Sequence, residues 1–403
     1  MTIDVRPCSS LEELTLGLAP IAHFFGRPLT EDRGLERFTA VLPPERMLAA
    51  WVDGSVAGGA GAFPFELTVP GGRVRAAGVT VVGVFPTHRR RGVLRAMMRA
   101  QLDLTRELGE PVAYLWASEE TIYGRFGYGL SSLAGSFDLP RDRAAFAHPF
   151  EPRGRVRLLD PGEALDLMAP VYDAVAAETP GMFTRTREWW ESRVLSDPEW
   201  RRGGGGELQR AVVEVDGRIE AYALYRLHLS FDAGLATGST NVIEAMGTSP
   251  EATREIWRFL LDIDWMRSIK AGLLPVDHPL FFLLAEPRQM GFRVGDALWL
   301  RLVDVEAALV ARTYGEGQPL VIEVADAFCP WNDGRYRVPD GERTDATPDL
   351  RLDVTTLASV YLGGFTFAEL ARALRVDEVS PGAIARADTL FHADRAPWCP
   401  EIF

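Results

Sequence analysis

A change of period at Pro86 constrains this chain more than any other feature. Up to Val84, the run from Val74 is β-branched and apolar, the composition of a buried strand. Beyond Pro86, Leu94, Met97, Met98, Leu102 and Leu108 recur at helical spacing, and Gly109 stands where a helix would stop. Between the two lie His88, Arg89, Arg90, Arg91 and Gly92. Val112 to Trp116 then supplies the next short apolar strand. The result is a strand–loop–helix–strand unit with three arginines and a glycine at the helix start. The first amides of a helix have no internal acceptor, and the peptide dipoles place positive charge there, which suits an anion. Gly92 permits close approach of another group, and the arginines add fixed charge. Two readings fit these residues: a site for a pyrophosphate, or a solvated basic turn. The glycines are too few for a dinucleotide fingerprint, and no GK[ST] follows them.

Around this unit the pattern alternates. Ser10 and Glu13 have the spacing of a capping box and predict a helix running toward Phe24. Met47–Val52 and Ser55–Phe65 read as strands joined by Asp53 and Gly54. Glu119–Phe126 reads as a helix, and Leu130–Leu139 as a strand. Pro140–Arg155 reads as a linker. A second segment then repeats the order of the first: strands Leu208–Val215, Arg218–Leu229 and Ser239–Met246, a helix over Pro250–Ile263, and a strand over Ile269–Leu274. The character changes again near Trp299, with strands over Leu320–Ala325, Gly334–Val338 and Asp349–Val354 among short helices. The expectation is an α+β chain of three domains, over residues 1–145, 150–296 and 297–403.

Composition narrows the function. At roughly 150 residues per domain, 403 residues suit two or three domains. Lys and Arg number 43 against 56 Asp and Glu, a net charge of −13, which argues against a nucleic-acid partner. That balance is compatible with a cationic amine as substrate, and equally with solubility alone. Cys8, Cys329 and Cys399 are odd in number and lack metal-ligand spacing, and the histidines are scattered without HExxH. Neither a disulfide framework nor a metal site is expected. The first residues carry no secretory signal, and no run of 18 apolar residues occurs, so no membrane association and a cytoplasmic location are expected. The absence of G-x-S-x-G argues against a serine hydrolase.

A second motif follows the next strand: Ser118, Glu119, Glu120, Thr121, Ile122, Tyr123, Gly124, Arg125, Phe126, Gly127 and Tyr128. The order V-x-V-x-P-x-x-R-R-R-G and then Y-G-R-F-G-Y resembles the GNAT superfamily of acetyltransferases. The chain length, the triple arginine, the IYGRFGYG segment and a chain ending in a free aromatic carboxylate resemble, more narrowly, the Eis (enhanced intracellular survival) family, over the whole chain. Leu94 departs from the Gly or Ala often found in the acyl-CoA loop.

The resemblance implies two tandem GNAT-like domains, the second without a CoA motif, followed by a C-terminal sterol-carrier-protein-like domain, assembled as a homohexamer. In the second domain Gly247, Thr248, Ser249 and Pro250 stand before the helix without arginines. The resemblance implies acetyl-CoA as co-substrate. Val82, Gly83 and Val84 match the positions that pair with the pantetheine arm. Arg90, Arg91, Gly92, Val93, Leu94 and Arg95, with Arg89 beside them, match the phosphate loop, and Ser118 and Glu119 a second cofactor contact. Tyr123 matches the general acid, and the carboxylate of Phe403 the general base. The plainer alternatives are a core aromatic at position 123 and a frayed terminus at 403, although the last six residues, WCPEIF, are apolar for a frayed end.

Family members acetylate amines, including aminoglycosides at more than one position. Asp32, Glu31 and Glu401 are candidate contacts for such a polycation or else ordinary surface acids, and Phe24 and Phe25 are pocket-lining or core aromatics. A protein lysine or a polyamine is the alternative acceptor. A non-catalytic lipid-binding or scaffold protein is the alternative from another class.

Overall fold

The computed structural model describes residues 2–26 and 34–403. The chain divides into two compact units, Met1–Ser132 with Ala297–Pro397 and Ile402–Phe403, and Leu133–Asp296 with Trp398–Glu401.

The first unit opens with strand β1 (Ile3–Pro7) and helix α1 (Leu11–Phe24). Ser10 caps α1 by accepting from the Glu13 amide at 3.2 Å. Only half of the expected capping box forms. The Glu13 carboxylate turns instead to the Ser9 amide at 2.8 Å and to Arg6 at 2.7 Å. Helix α2 (Leu35–Thr39) precedes strands β2 (Met47–Val52), β3 (Ser55–Val69) and β4 (Gly72–Val84). Helix α3 (Val93–Glu107), β5 (Val112–Trp116), the short helix α4 (Glu120–Tyr123) and β6 (Gly129–Leu130) follow. The sheet runs β1-β2-β3-β4-β5, then Leu298–Leu302, then β6. Its pairs are antiparallel except β4 with β5, the connection that α3 crosses over. Helix α3 turns Met97, Met98, Leu102 and Thr105 inward, as its period requires.

Residues 320–391 of the same unit build a four-stranded sheet, ordered Gly334–Val338, Leu320–Ala325, Leu350–Asp353, Val376–Glu378. Helices Val354–Tyr361, Phe367–Arg372 and Ala383–Phe391 accompany it.

The second unit has its own seven-stranded sheet, into which Leu133–Pro140, Gly238–Gly247 and Met266–Leu274 enter. One core contains Trp257 of the helix Pro250–Leu261, and the other contains Tyr172, Trp190 and Tyr222. Ala221 and Ala223 face the first core and Tyr222 and Leu224 the second, the alternation of a strand buried on both faces. The single strand expected over Leu130–Leu139 is two: Gly129–Leu130 joins the first sheet and Leu133–Pro140 the second. The segment read as a linker is packed, with Ala144 in a core and the Ala147 amide bonded to the Leu283 carbonyl at 2.9 Å. Among the described residues, no helix is long and apolar enough to cross a membrane.

Candidate active site

The parallel strands β4 and β5 stay together for three residue pairs only: Ala76 with Val112, Ala77 with Ala113 and Gly78 with Tyr114. Beyond Gly78, β4 runs on to Val84 paired with β3 alone. The register with β3 shifts there, so that Val81 and Val82 form a bulge, and Val81 takes φ 49°. A β-branched residue adopts that region only when its surroundings hold it there. The bulge bends β4 away from β5. It leaves the β5-facing edge of Val82, Gly83 and Val84 without a strand, so backbone groups there await a partner. Gly83 has a second constraint. A Cβ at that position would come within 2.9 Å of the Ile21 amide nitrogen of α1.

The loop after β4 makes one turn at Pro86–His88, extends through Arg89, and turns left-handed at Arg90 (φ 60°) and Gly92 (φ 86°). Helix α3 starts at Val93 with no side-chain cap and no acid in its first turn. Its first internal bond runs from the Ala96 amide to the Gly92 carbonyl at 3.0 Å, so the amides of Val93, Leu94 and Arg95 point outward unused by the helix. Arg90 and Arg91 are exposed and have no ion pair among the described residues. The Arg89 guanidinium lies 4.7 Å from the Phe24 ring, and that of Arg95 lies 5.1 Å from the Phe328 ring. Leu94 packs on the core beneath the helix, which accounts for a large side chain in this loop. Ser118 and Glu119 are exposed just before α4.

Tyr123 ends α4. A turn of 3-10 helix at Gly124–Phe126 follows, and Gly127 closes it at φ 85°. Tyr123 is buried with Ala77, Val79, Ala113 and Leu115, residues of the two strands that part. Burial, with the Glu119 carboxylate adding to it, pushes the Tyr123 phenol up to about 12. The chain end lies nearby in the same unit and is not frayed. The Phe403 ring is buried, 5.2 Å from Phe65 and 4.9 Å from Tyr114, edge to face with both. It also lies over Gly78, where a Cβ would meet it at 3.4 Å. Successive strand residues face opposite sides, so Tyr123 packs on the side of Ala77 and Ala113, and Phe403 on that of Gly78 and Tyr114. The two stand on opposite faces of the sheet at the point where β4 and β5 diverge.

Of the acceptor candidates, Phe24 (42% exposed) and Phe25 (69% exposed) end α1 at the surface and are not core residues. Asp32, with Glu31, lies outside the described residues. Glu401 is held in the second unit, paired with Arg185 at 3.0 Å and accepting from the Trp189 indole at 2.9 Å.

Residues 13–131 match the family model of an acetyltransferase (GNAT) domain, residues 181–302 a second such model, and residues 305–400 a sterol carrier protein domain. An uncharacterized N-acetyltransferase of Streptomyces avermitilis is 40% identical over 412 residues, spanning all of both chains. The N-acetyltransferase Eis of Mycobacterium tuberculosis is 35% identical over 347 residues, 82% of this chain and 81% of that one. The chain belongs to the Eis N-acetyltransferases. The crystal structure of Eis1 from Mycobacterium abscessus superposes with a TM-score of 0.86 at 36% identity, covering 99% of this chain and 100% of that one. This Eis relative is therefore an acetyltransferase with two GNAT domains and a sterol-carrier-like domain.

Two buried groups, one in each unit, escape a reading of the sequence. One is the buried Arg185–Glu244 pair that holds Glu401. The other is Arg301, which bonds Asp326 and reaches the Gly127 carbonyl at 3.5 Å. A glycine at 127 that must take φ above zero was the one local signal that something presses on that turn.

Proposed function

We propose that this protein transfers the acetyl group of acetyl-CoA to amino groups of polycationic small molecules, aminoglycosides at more than one position among them. The observation that carries this is the parting of β4 and β5 between a buried tyrosine and a buried chain end, beside an uncapped, arginine-flanked helix start. The residues fit the co-substrate. The open edge of Val82–Val84 suits an amide-bearing pantetheine arm, and the α3 amides with Arg90 and Arg91 suit a pyrophosphate.

The acceptor amine attacks the thioester carbonyl. A C–N bond forms, the C–S bond breaks, the Phe403 carboxylate takes the amine proton, and Tyr123 gives its phenolic proton to the departing sulfur. An amine of pKa ~10 is neutral in roughly one molecule in a thousand at pH 7, and a terminal carboxylate of reference pKa ~3.5 is a weak base. Turnover should therefore rise with pH as the neutral amine becomes available. Tyr123, pushed up to about 12, keeps its proton across that range. The same reading includes a homohexamer located in the cytoplasm.

The test is free-thiol release from acetyl-CoA with aminoglycosides, polyamines and lysine peptides as acceptors. Several equivalents released per aminoglycoside are expected. Release with lysine peptides or polyamines alone would move the acceptor class, and acetyl-CoA binding without release to any amine would overturn the reading.

A further inference from the structure

The loop after Leu320–Ala325 belongs to the sterol-carrier-like segment, yet its side chains reach both halves of the acetyltransferase motif. Phe328 is buried, its ring edge-on to Phe126 at 5.1 Å. Phe126 sits in the turn that directly follows Tyr123. The guanidiniums of Arg99 and Arg95, on α3, lie 4.2 Å and 5.1 Å from the centroid of the same ring. Arg99 also donates to the Cys329 sulfur at 3.5 Å. Trp331 continues the row, 4.8 Å from the Arg106 guanidinium and 5.3 Å from that of Arg99.

A second link is independent of the ring. The Asp326 carboxylate accepts from Arg301, from the Asn332 amide at 2.9 Å, and from the backbone amides of Phe328 at 3.2 Å and Cys329 at 2.9 Å. Arg301 in turn donates to the Gly127 carbonyl at 3.5 Å, and a Cβ on Gly127 would run into its guanidinium. A buried ion pair needs its remaining acceptor positions used, and the Asp326 carboxylate has them filled by Asn332 and by the Phe328 and Cys329 amides. The carbonyl that closes the Tyr123 turn is thereby tied to the same loop that carries Phe328.

We infer that the loop over residues 326–332 is part of the frame of the active site, with Phe328 as a positioning residue that sets the spacing between α3 and the Tyr123 turn. The inference rests on Tyr123 as the acid. It assigns the C-terminal segment a part in acetyl transfer that needs no bound lipid. An aromatic wedge of this kind acts through distance: a small displacement of a reacting group costs far more in rate than in binding. The ring also holds Arg95 through its π face, so the loop influences the charge beside the α3 amides.

The test compares Phe328→Leu with Phe367→Leu. Phe367 is a buried phenylalanine of the same segment whose ring packs on Phe391 at 5.0 Å. Both variants should lose thermal stability. Phe328→Leu alone should lower kcat, by about tenfold or more, with a rise in KM for acetyl-CoA of roughly threefold at most. Its alkaline pH limb should also move to lower pH as water reaches Tyr123. Phe328→Met keeps the apolar bulk without the π face. It is measured alongside, so that failure of the leucine variant to fold does not end the test. Equal kcat for the Phe328 and Phe367 variants, with unchanged pH profiles, would overturn the inference. Tyr123→Phe separates the two levels. Full turnover in Tyr123→Phe removes the acid itself, whereas lost turnover there with an inert Phe328→Leu removes only the role of the loop.

Discussion

The two acetyltransferase domains open the same wedge and fill it differently. In the first, β4 and β5 part after Gly78 and Tyr114. In the second, Gly238–Gly247 and Met266–Leu274 run parallel as far as Val242 and Ala271, then part. Each leading strand carries a bulge just past that point, at Val81–Val82 and at Ile243. The helix that follows differs in its first turn. Helix α3 starts uncapped beside Arg90 and Arg91, which have no ion pair among the described residues, whereas the helix Pro250–Leu261 is closed by its own residues. Ser249 accepts from the Ala252 amide at 3.2 Å, Pro250 has no amide hydrogen, and Glu251 places negative charge on the helix end. The second wedge also holds the tail of the chain. The Trp398 indole donates to the Leu273 carbonyl at 2.5 Å on one parted strand. Glu401 joins Arg185, which grips Glu244 on the other at 2.9 Å and 2.6 Å. The splay is thus a property of the fold. On the function proposed above, whether it takes a substrate depends on a few side chains at the helix start and in the gap.

The largest effect that follows from this contrast concerns the two tyrosines. Tyr123→Phe should lower kcat by ~100-fold or more while acetyl-CoA binding survives. Tyr222→Phe in the second domain removes only the hydroxyl that donates to Glu244. It should cost roughly 1–2 kcal/mol of stability and leave kcat alone. Steady-state kinetics beside thermal melts would separate the two, and equal kinetic losses would erase the functional distinction between the wedges.

A smaller effect belongs to the helix starts. Arg90→Ala together with Arg91→Ala should raise KM for acetyl-CoA about tenfold with kcat nearly kept, because each charge contributes mainly to binding the phosphates. Ser249→Ala should leave that KM untouched and lower stability by about 1 kcal/mol, the worth of a lost cap. A rise in KM from Ser249→Ala would mean that the second helix start also binds a phosphate.

What the sequence showed of this contrast was its local part. The strand and helix bounds around α3 follow from period, and the arginines at one helix start and their absence at the other from the residues beside each, because such features are written within a few positions. The strand boundary at Ser131 and Ser132 was not legible: alternation is the same in one strand as in two that join different sheets. Nor were Arg185 with Glu244, 59 residues apart, or Arg301 with Asp326, 25 apart. Pairs of that separation leave no spacing to read, and each residue alone resembles an ordinary surface charge. The docking of Phe403 was foreshadowed by the apolar character of the tail and by the Eis resemblance, which implied a role for its carboxylate.

The smallest effect falls on Glu401, where sequence and structure point to different roles. As a free acid near the chain end it would hold a substrate cation. In the structure its carboxylate is already engaged by Arg185 and Trp189 in the second wedge. Glu401→Gln keeps the hydrogen-bonding shape and leaves Arg185 its pair with Glu244, so the buried charge is not stranded. The expected outcome is a modest fall in Tm with KM for the amine changed by no more than about twofold. A tenfold or larger rise in amine KM, at unchanged KM for acetyl-CoA, would show that the carboxylate exchanges Arg185 for the substrate. The second wedge would then contribute to acceptor recognition as well as to holding the tail.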